Sequence, residues 1–168
     1  MKSVILIMIA FVASMNAFSQ KKDVVDIAVG SADHSTLVAA IKAADLVTTL
    51  KSAGPFTVFA PTNAAFDKLP AGTVESLLKP ENKAQLAKIL TYHVVSGNLD
   101  AAAVIAAIKK GKGKVELTTV SAGKLTASMD NGKVKLTDES GNSAYVTATD
   151  LKGSNGVIHV IDGVLLPK

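Results

Sequence analysis

Residues 155–167 read Asn-Gly-Val-Ile-His-Val-Ile-Asp-Gly-Val-Leu-Leu-Pro, and the reading of this stretch decides the fold. Between Gly156 and Leu166 both sets of alternating positions are apolar, so an extended chain here has no side suited to water. A strand with one wetted face alternates apolar and polar residues, whereas a strand covered on both faces does not. The stretch therefore predicts a central strand, with Asp162-Gly163 placing a turn or bulge inside it. A second β-prone run, Phe56-Thr-Val-Phe59, follows the Gly54-Pro55 break. Outside the first twenty residues, the chain's three phenylalanines (Phe56, Phe59, Phe66) fall within this one region, as residues of a folding core do.

Outward from these two runs the pattern changes period. From Asp23 to Lys51 it is helical: Leu37, Val38 and Ile41 share one face, as do Leu46, Val47 and Leu50. Asp33 and Asp45 occupy expected N-cap positions. Pro61-Thr62 opens a helical turn with Ala64, Ala65 and Phe66, and a short helix follows Gly72, with Thr73 as cap and Val74, Leu77 and Leu78 inward. Pro80 suits a first helical position, before a helix lined by Leu86, Ile89 and Leu90. Asp100 caps one more, with Val104, Ile105 and Ile108 inside and Lys109-Lys110 at its negative end. After Gly113 the period becomes two: Val115/Leu117, Leu125/Ala127/Met129 and Val134/Leu136 alternate with polar residues. Asn131-Gly132 signals a tight hairpin, because both turn positions need positive φ. Asp138 to Asn142 reads as a longer turn. Helices first and strands second imply a single α+β unit.

The amino terminus predicts export. Lys2, the apolar run Val4 to Val12 and the small residues Ala17 and Ser19 have the layout of a signal peptide over 1–19, cleaved before Gln20. That run is shorter than the ~20 residues a bilayer span needs, so no membrane span is expected. Residues 20–168 are expected to form one domain, in the extracellular space or a periplasm. The chain has no Cys, so the exported fold must stand without disulfides. The formal net charge is +4, and every basic residue is Lys. Without guanidinium groups to read phosphate and base edges bidentately, nucleic acid is not an expected partner. The lysines are scattered, apart from Lys109 to Lys114.

Residues able to do chemistry are sparse. His34, His93 and His159 show no metal-ligand spacing, and a zinc site without Cys would need distant carboxylates. A G-x-S-x-G elbow is absent, and Gly111-Lys-Gly113-Lys lacks the spacing and Lys-Ser/Thr end of a phosphate loop. It reads as a flexible helix-to-strand connection. Sugar binders stack ligands on exposed Trp or Tyr, and this chain offers only Tyr92 and Tyr145. No cofactor, metal or catalytic activity is implied.

Three segments resemble the fasciclin domain family. Gly54-Pro-Phe-Thr-Val-Phe-Ala-Pro-Thr-Asn-Ala-Ala-Phe66 is similar to its first signature block. Tyr92-His93-Val-Val resembles its central tyrosine–histidine motif, and Asn155 to Pro167 resembles its closing block. Order and spacing agree, and the helix opening at Ser35-Thr-Leu-Val fits the family's start. The resemblance implies a wedge-shaped β-sandwich with several α-helices packed around one end, its first and closing blocks being adjacent core strands. Asn63 stands where the family has Asp; if that carboxylate pairs with the motif histidine, a neutral hydrogen bond is the most that remains. His93 is then a structural histidine, and it and His159 are each expected to have a partner, since an unpaired buried ring costs ~1–3 kcal/mol.

The function the resemblance implies is that of a secreted, extracytoplasmic adhesion module. It would act as a monomer on a cell-surface or matrix protein or polysaccharide. In some animal members an Asp and a following aliphatic residue before the closing block are implicated in receptor binding; Asp150-Leu151 match them here. Asp150, Leu151, Tyr92 and His93 are therefore the candidate binding residues. Read simply as a loop acid beside a packing Leu, Asp150 is expected to contribute little to stability. The alternative is a carrier of a small ligand or lipid in an apolar cleft between helices and sheet; a hydrolase is the least favoured reading.

Overall fold

The computed structural model describes residues 21–168; the predicted signal segment 1–19 and its cleavage point before Gln20 lie outside the described residues. Helix α1 (Val24–Val29) starts at Asp23, whose carboxylate accepts from the Val25 and Asp26 N–H groups while the Asp26 carboxylate accepts from the Asp23 N–H. This reciprocal cap stabilises a helix too short to form alone. A 3₁₀ turn (Ala32–His34) leads into α2 (Ser35–Ala43), and α3 (Val47–Lys51) follows.

Neither Asp33 nor Asp45 is a helix N-cap. Asp33 lies within the 3₁₀ turn, and Asp45 closes α2 from behind with a left-handed φ of 56°. Its N–H donates to Lys42 O (3.1 Å) and the Leu46 N–H to Ile41 O (3.0 Å), a Schellman closure with Asp in the usual glycine position. Spacing alone does not tell the end of one helix from the start of the next.

Strand β1 (Phe56–Pro61) runs into α4 (Asn63–Asp67), capped by Thr62. Then come α5 (Thr73–Leu77), a 3₁₀ turn from Pro80 to Asn82, α6 (Lys83–Tyr92), β2 (Val94–Ser96) and α7 (Ala101–Lys110). Five strands complete the chain: β3 (Lys114–Thr118), β4 (Lys124–Asp130), β5 (Lys133–Thr137), β6 (Ser143–Gly153) and β7 (Gly156–Ile161). In the α7–β3 connection Lys112 adopts φ 58° and the Gly113 N–H donates to Ile108 O at 2.9 Å, closing the end of the helix.

The strands form one seven-stranded sheet in the order β2-β1-β7-β6-β5-β4-β3. Only β1 and β7 pair in parallel, from Phe56 opposite Gly156 to Pro61 opposite Ile161. A bridge between Val95 and Thr119, with the Val120 N–H donating to Val94 O (2.7 Å), brings the two sheet edges together. The expected sandwich is thus a single sheet folded over until its edges meet, which leaves little open edge for another strand to join.

Two cores explain why the closing strand is apolar on both faces. Val58, Ala60 and Ile158 face the helices and pack with Leu37, Ile41, Leu50, Phe66, Leu86 and Leu90. Phe59 and Ile161 face the other way and pack with Tyr92, Val104, Ile108, Leu125, Leu136 and Leu165. Burial of each large side chain contributes about 2–3 kcal/mol, which an uncrosslinked domain needs. Strands β3, β4 and β5 alternate, as a sheet with one wetted face requires. Asn131 (φ 49°) and Gly132 (φ 79°) make the predicted tight turn. Met129, expected inside, is 38% exposed, although Val134 opposite it is buried in the core.

Candidate functional site

Helix α6 delivers Tyr92 and His93 into the interior. Tyr92 is fully buried; its hydroxyl donates to Lys124 O (2.6 Å) and accepts from the Glu139 N–H (3.3 Å). Burial raises its pKa, so the hydroxyl stays a donor. His93 lies at the helix end with Nδ1 2.9 Å from Ile89 O. A carbonyl can only accept, so Nδ1 carries the hydrogen, and Nε2 is free to accept from the Leu165 N–H at 3.1 Å. The carbonyl of His93 in turn accepts from the Phe59 N–H (2.8 Å). One residue thereby joins α6, the first block and the closing segment. The next amide, Leu166 N–H, donates to buried Asp138 Oδ2 at 3.0 Å. Burial pushes the His93 pKa down to about 4, leaving the ring neutral at physiological pH.

The other histidines are also enclosed. His159 Nε2 donates to Leu99 O (2.7 Å), and its ring stacks on Phe59 at 5.6 Å. Its Nδ1 has no partner among the described residues, and His159 lines a cavity of about 10 Å³ between α7 and the sheet, with Val104, Val134 and Val146 in its wall. That volume has room for one water and none for a lipid. His34 Nδ1 lies 2.8 Å from Ser31 Oγ, its Nε2 is unpartnered among the described residues, and burial lowers its pKa.

Asn63 does not reach His93, whose two ring nitrogens are already engaged. Its Oδ1 accepts from the Thr36 N–H (3.0 Å) and Ser35 hydroxyl (3.2 Å), and its Nδ2 donates to Ala32 O (2.9 Å). It fastens the start of α2 to the end of β1, so the expected neutral bond to the motif histidine is replaced by a helix-start anchor.

Asp150 and Leu151 sit where β6 slips against β7, with register shifts between Val146 and Ala148 and between Ala148 and Leu151. Asp150 adopts φ 59°, and its Oδ1 accepts from the Ala101 N–H (2.9 Å) at the first residue of α7. Asp100 serves the Ala103 N–H (2.8 Å), so two carboxylates cover the positive end of this helix. Asp150 is therefore a helix-capping residue, through a contact between distant positions that the sequence reading did not include. Leu151 remains 39% exposed and shares a small apolar recess with Ile27, Ala28 and Ile158.

Beside this strand end lies a cleft of about 460 Å³, walled by Gly54, Pro55, Asn98, Asp100, Lys152, Ser154 and Asn155. Two of its lining residues meet backbone to backbone: a Cβ on Gly54 would sit 1.9 Å from Asn155 O. Asn155 sets this geometry. Its Oδ1 accepts from the Val24 N–H (3.0 Å), and its Nδ2 donates to Leu50 O (2.7 Å) and Ser52 O (3.0 Å). Sequence reasoning missed this role; the polar Asn opening an otherwise apolar block is the one signal that points to it. Among the described residues no group of three or more His, Asp or Glu side chains is arranged to hold a metal ion, and no helix is long and apolar enough to cross a membrane.

The fasciclin domain pattern matches residues 32–167. Protein sll1483 of Synechocystis sp. is 53% identical over 156 residues, 93% of this chain and 79% of its own length. Transforming growth factor-beta-induced protein ig-h3 of Sus scrofa is 39% identical over 149 residues, covering 86% of this chain and 19% of that longer protein. The structure of a FAS1 domain pair from the insect cell adhesion molecule fasciclin I aligns with a TM-score of 0.75 at 20% identity, covering 86% of this chain and 51% of that one. With both signature strands paired in the interior, the tyrosine–histidine motif locked between them and the family pattern spanning most of the sequence, this chain belongs to the fasciclin domain family.

Proposed function

We propose that the chain is exported with loss of residues 1–19, and that residues 20–168 act as one monomeric, non-catalytic binding domain at the cell surface or in the surrounding matrix. Its partner is a surface or matrix protein or polysaccharide, met by exposed Leu151 and the polar cleft beside it. The observation that carries this reading is where the reactive groups lie. Tyr92 and His93 are buried and hydrogen-bonded to backbone, and Asp150 caps a helix, so the motif residues serve the scaffold and leave only its surface for recognition. Membership of a family that includes an insect cell adhesion molecule supports the adhesive direction.

Immobilised mature protein is expected to retain specific components from envelope extracts and culture medium of the producing cells, with no turnover on ester and glycoside panels. Retention of nothing from either source, or turnover lost in a His93 or Asp138 variant, would refute the proposal. Intact-mass measurement of the exported protein is expected to give a chain beginning at Gln20.

A further inference from the structure

The lysines of this chain are unevenly placed in the fold. Lys51, Lys68, Lys79, Lys83 and Lys124 each lie within ion-pair distance of a carboxylate. Among the lysines that form no ion pair in the described residues, Lys109, Lys110, Lys112, Lys114, Lys133 and Lys135 meet at one end of the sheet. Lys109 and Lys110 end α7, Lys112 is in the turn that follows, and Lys114 opens β3. Strand register carries the cluster onward: Lys114 is opposite Ser128, Ser128 opposite Lys135, and Lys135 opposite Tyr145. Directly opposed residues share a sheet face, so these four make one transverse row. Glu116, Thr126, Thr137 and Ser143 make the next row on that face. The opposite face carries Leu117, Leu125, Ala127 and Leu136 and is filled by Val104 and Ile108 of α7.

The acids nearby do not outweigh the charge. Glu116 is engaged by Lys124 at 3.1 Å, and Asp130, opposite Lys133, keeps its negative charge while accepting the Tyr145 hydroxyl at 2.7 Å, so one carboxylate free of an ion pair faces six lysines. Lys135 Nζ stands 5.9 Å from the centre of the Tyr145 ring. The negative end of α7 accounts for Lys109 and Lys110. It does not account for the other four, which a solvated face could replace with any polar residue.

We propose that this lysine-rich sheet end binds an anionic polysaccharide, on a surface about 20 Å along β6 from Leu151 and separate from it. Lysines supply charge complementarity to carboxylate or sulfate groups. The adjoining rows of Thr and Ser hydroxyls, with the partly open Tyr145 ring, suit sugar hydroxyls and a sugar face. A chain without Arg lacks the bidentate forks that favour a nucleic-acid backbone. On β3, β4 and β5 the exposed large apolar side chain is Met129, whose place in the strand alternation is on the opposite face, and exposed Leu151 lies at the far end of β6, so this end of the face offers nothing to insert into a membrane.

The test measures affinity of the mature protein for polygalacturonate and dextran sulfate, with neutral dextran, anionic phospholipid vesicles and duplex DNA alongside. The variant is Lys112→Gln with Lys114→Gln and Lys135→Gln; the charge-matched control is Lys42→Gln with Lys79→Gln and Lys88→Gln, all exposed on helices or their ends. Binding to at least one anionic polysaccharide is expected to weaken with salt, and to fall about tenfold or more in the variant but not in the control. Failure of the wild type to bind either polysaccharide overturns the proposal. So does equal weakening in both triple variants, unchanged binding by the first, or tighter binding to vesicles or DNA. Because Leu151 and the cleft are untouched, capture of a partner there is scored separately.

Discussion

Acidification from about pH 7.5 to about pH 4.5 is expected to remove about 2–3 kcal/mol of folding stability through His93 alone. Burial holds this ring's pKa at about 4, against an ordinary 6.5, although the Ile89 carbonyl and Asp138 pull the other way. The unfolded chain takes up a proton below about pH 6.5, whereas the folded chain resists it until about 4. The stabilising contribution is therefore complete above pH 6.5 and declines by about 1.4 kcal/mol per pH unit as the pH drops toward 4. Structure supplies the reason: a protonated Nε2 would point an N–H at the Leu165 N–H that it now accepts from. His34, whose pKa is also lowered by burial, adds in the same direction. Denaturant titrations at several pH values measure the slope, and His93→Gln serves as the reference, since it removes the titration whatever it does to stability at neutral pH. A wild type whose stability is flat over this range, or a His93→Gln protein with the same slope, would refute the reasoning.

Further expectations concern packing and backbone. Phe59→Ala should cost about 3–5 kcal/mol in equilibrium unfolding, because it empties a fully buried site and removes the ring stacked on His159. Asp150→Ala should cost about 1–2 kcal/mol through loss of the Ala101 contact, and Asp150→Asn, which keeps an acceptor and tolerates the left-handed backbone, less than half as much. Gly156→Ala should lower the melting temperature by the equivalent of about 1–3 kcal/mol or more, since its Cβ would meet Phe56 O at 2.1 Å and push β1 from β7.

Much of the architecture is legible in local pattern. The two-sided apolar run identifies the strand between two cores, which ends at Ile161, and Asn131-Gly132 identifies the β4–β5 hairpin, because each signal reports a property of consecutive residues. The functional detail is less legible, because it depends on contacts between distant positions. Asp150 reads as a loop acid until the fold brings Ala101, 49 positions away, to its carboxylate. Asn155 reads only as the polar start of an apolar block until Val24 and Leu50 arrive. Asn63 stands at its family position, yet its partners are Thr36 and Ala32 rather than the histidine. The lysines at 112, 114, 133 and 135 form a row only once strand register is known.

Partner retention by two single variants tests most directly whether the tyrosine–histidine motif is internal support and recognition lies outside it. Tyr92→Phe removes the hydroxyl bond to Lys124 O while keeping the buried ring, and Leu151→Asp changes an exposed side chain. Captured from the same extracts, the partner is expected to be retained by Tyr92→Phe, which melts lower than wild type. It is expected to be lost from Leu151→Asp, which still folds. Loss of the partner from a fully folded Tyr92→Phe protein, with Leu151→Asp retaining it, would contradict the account.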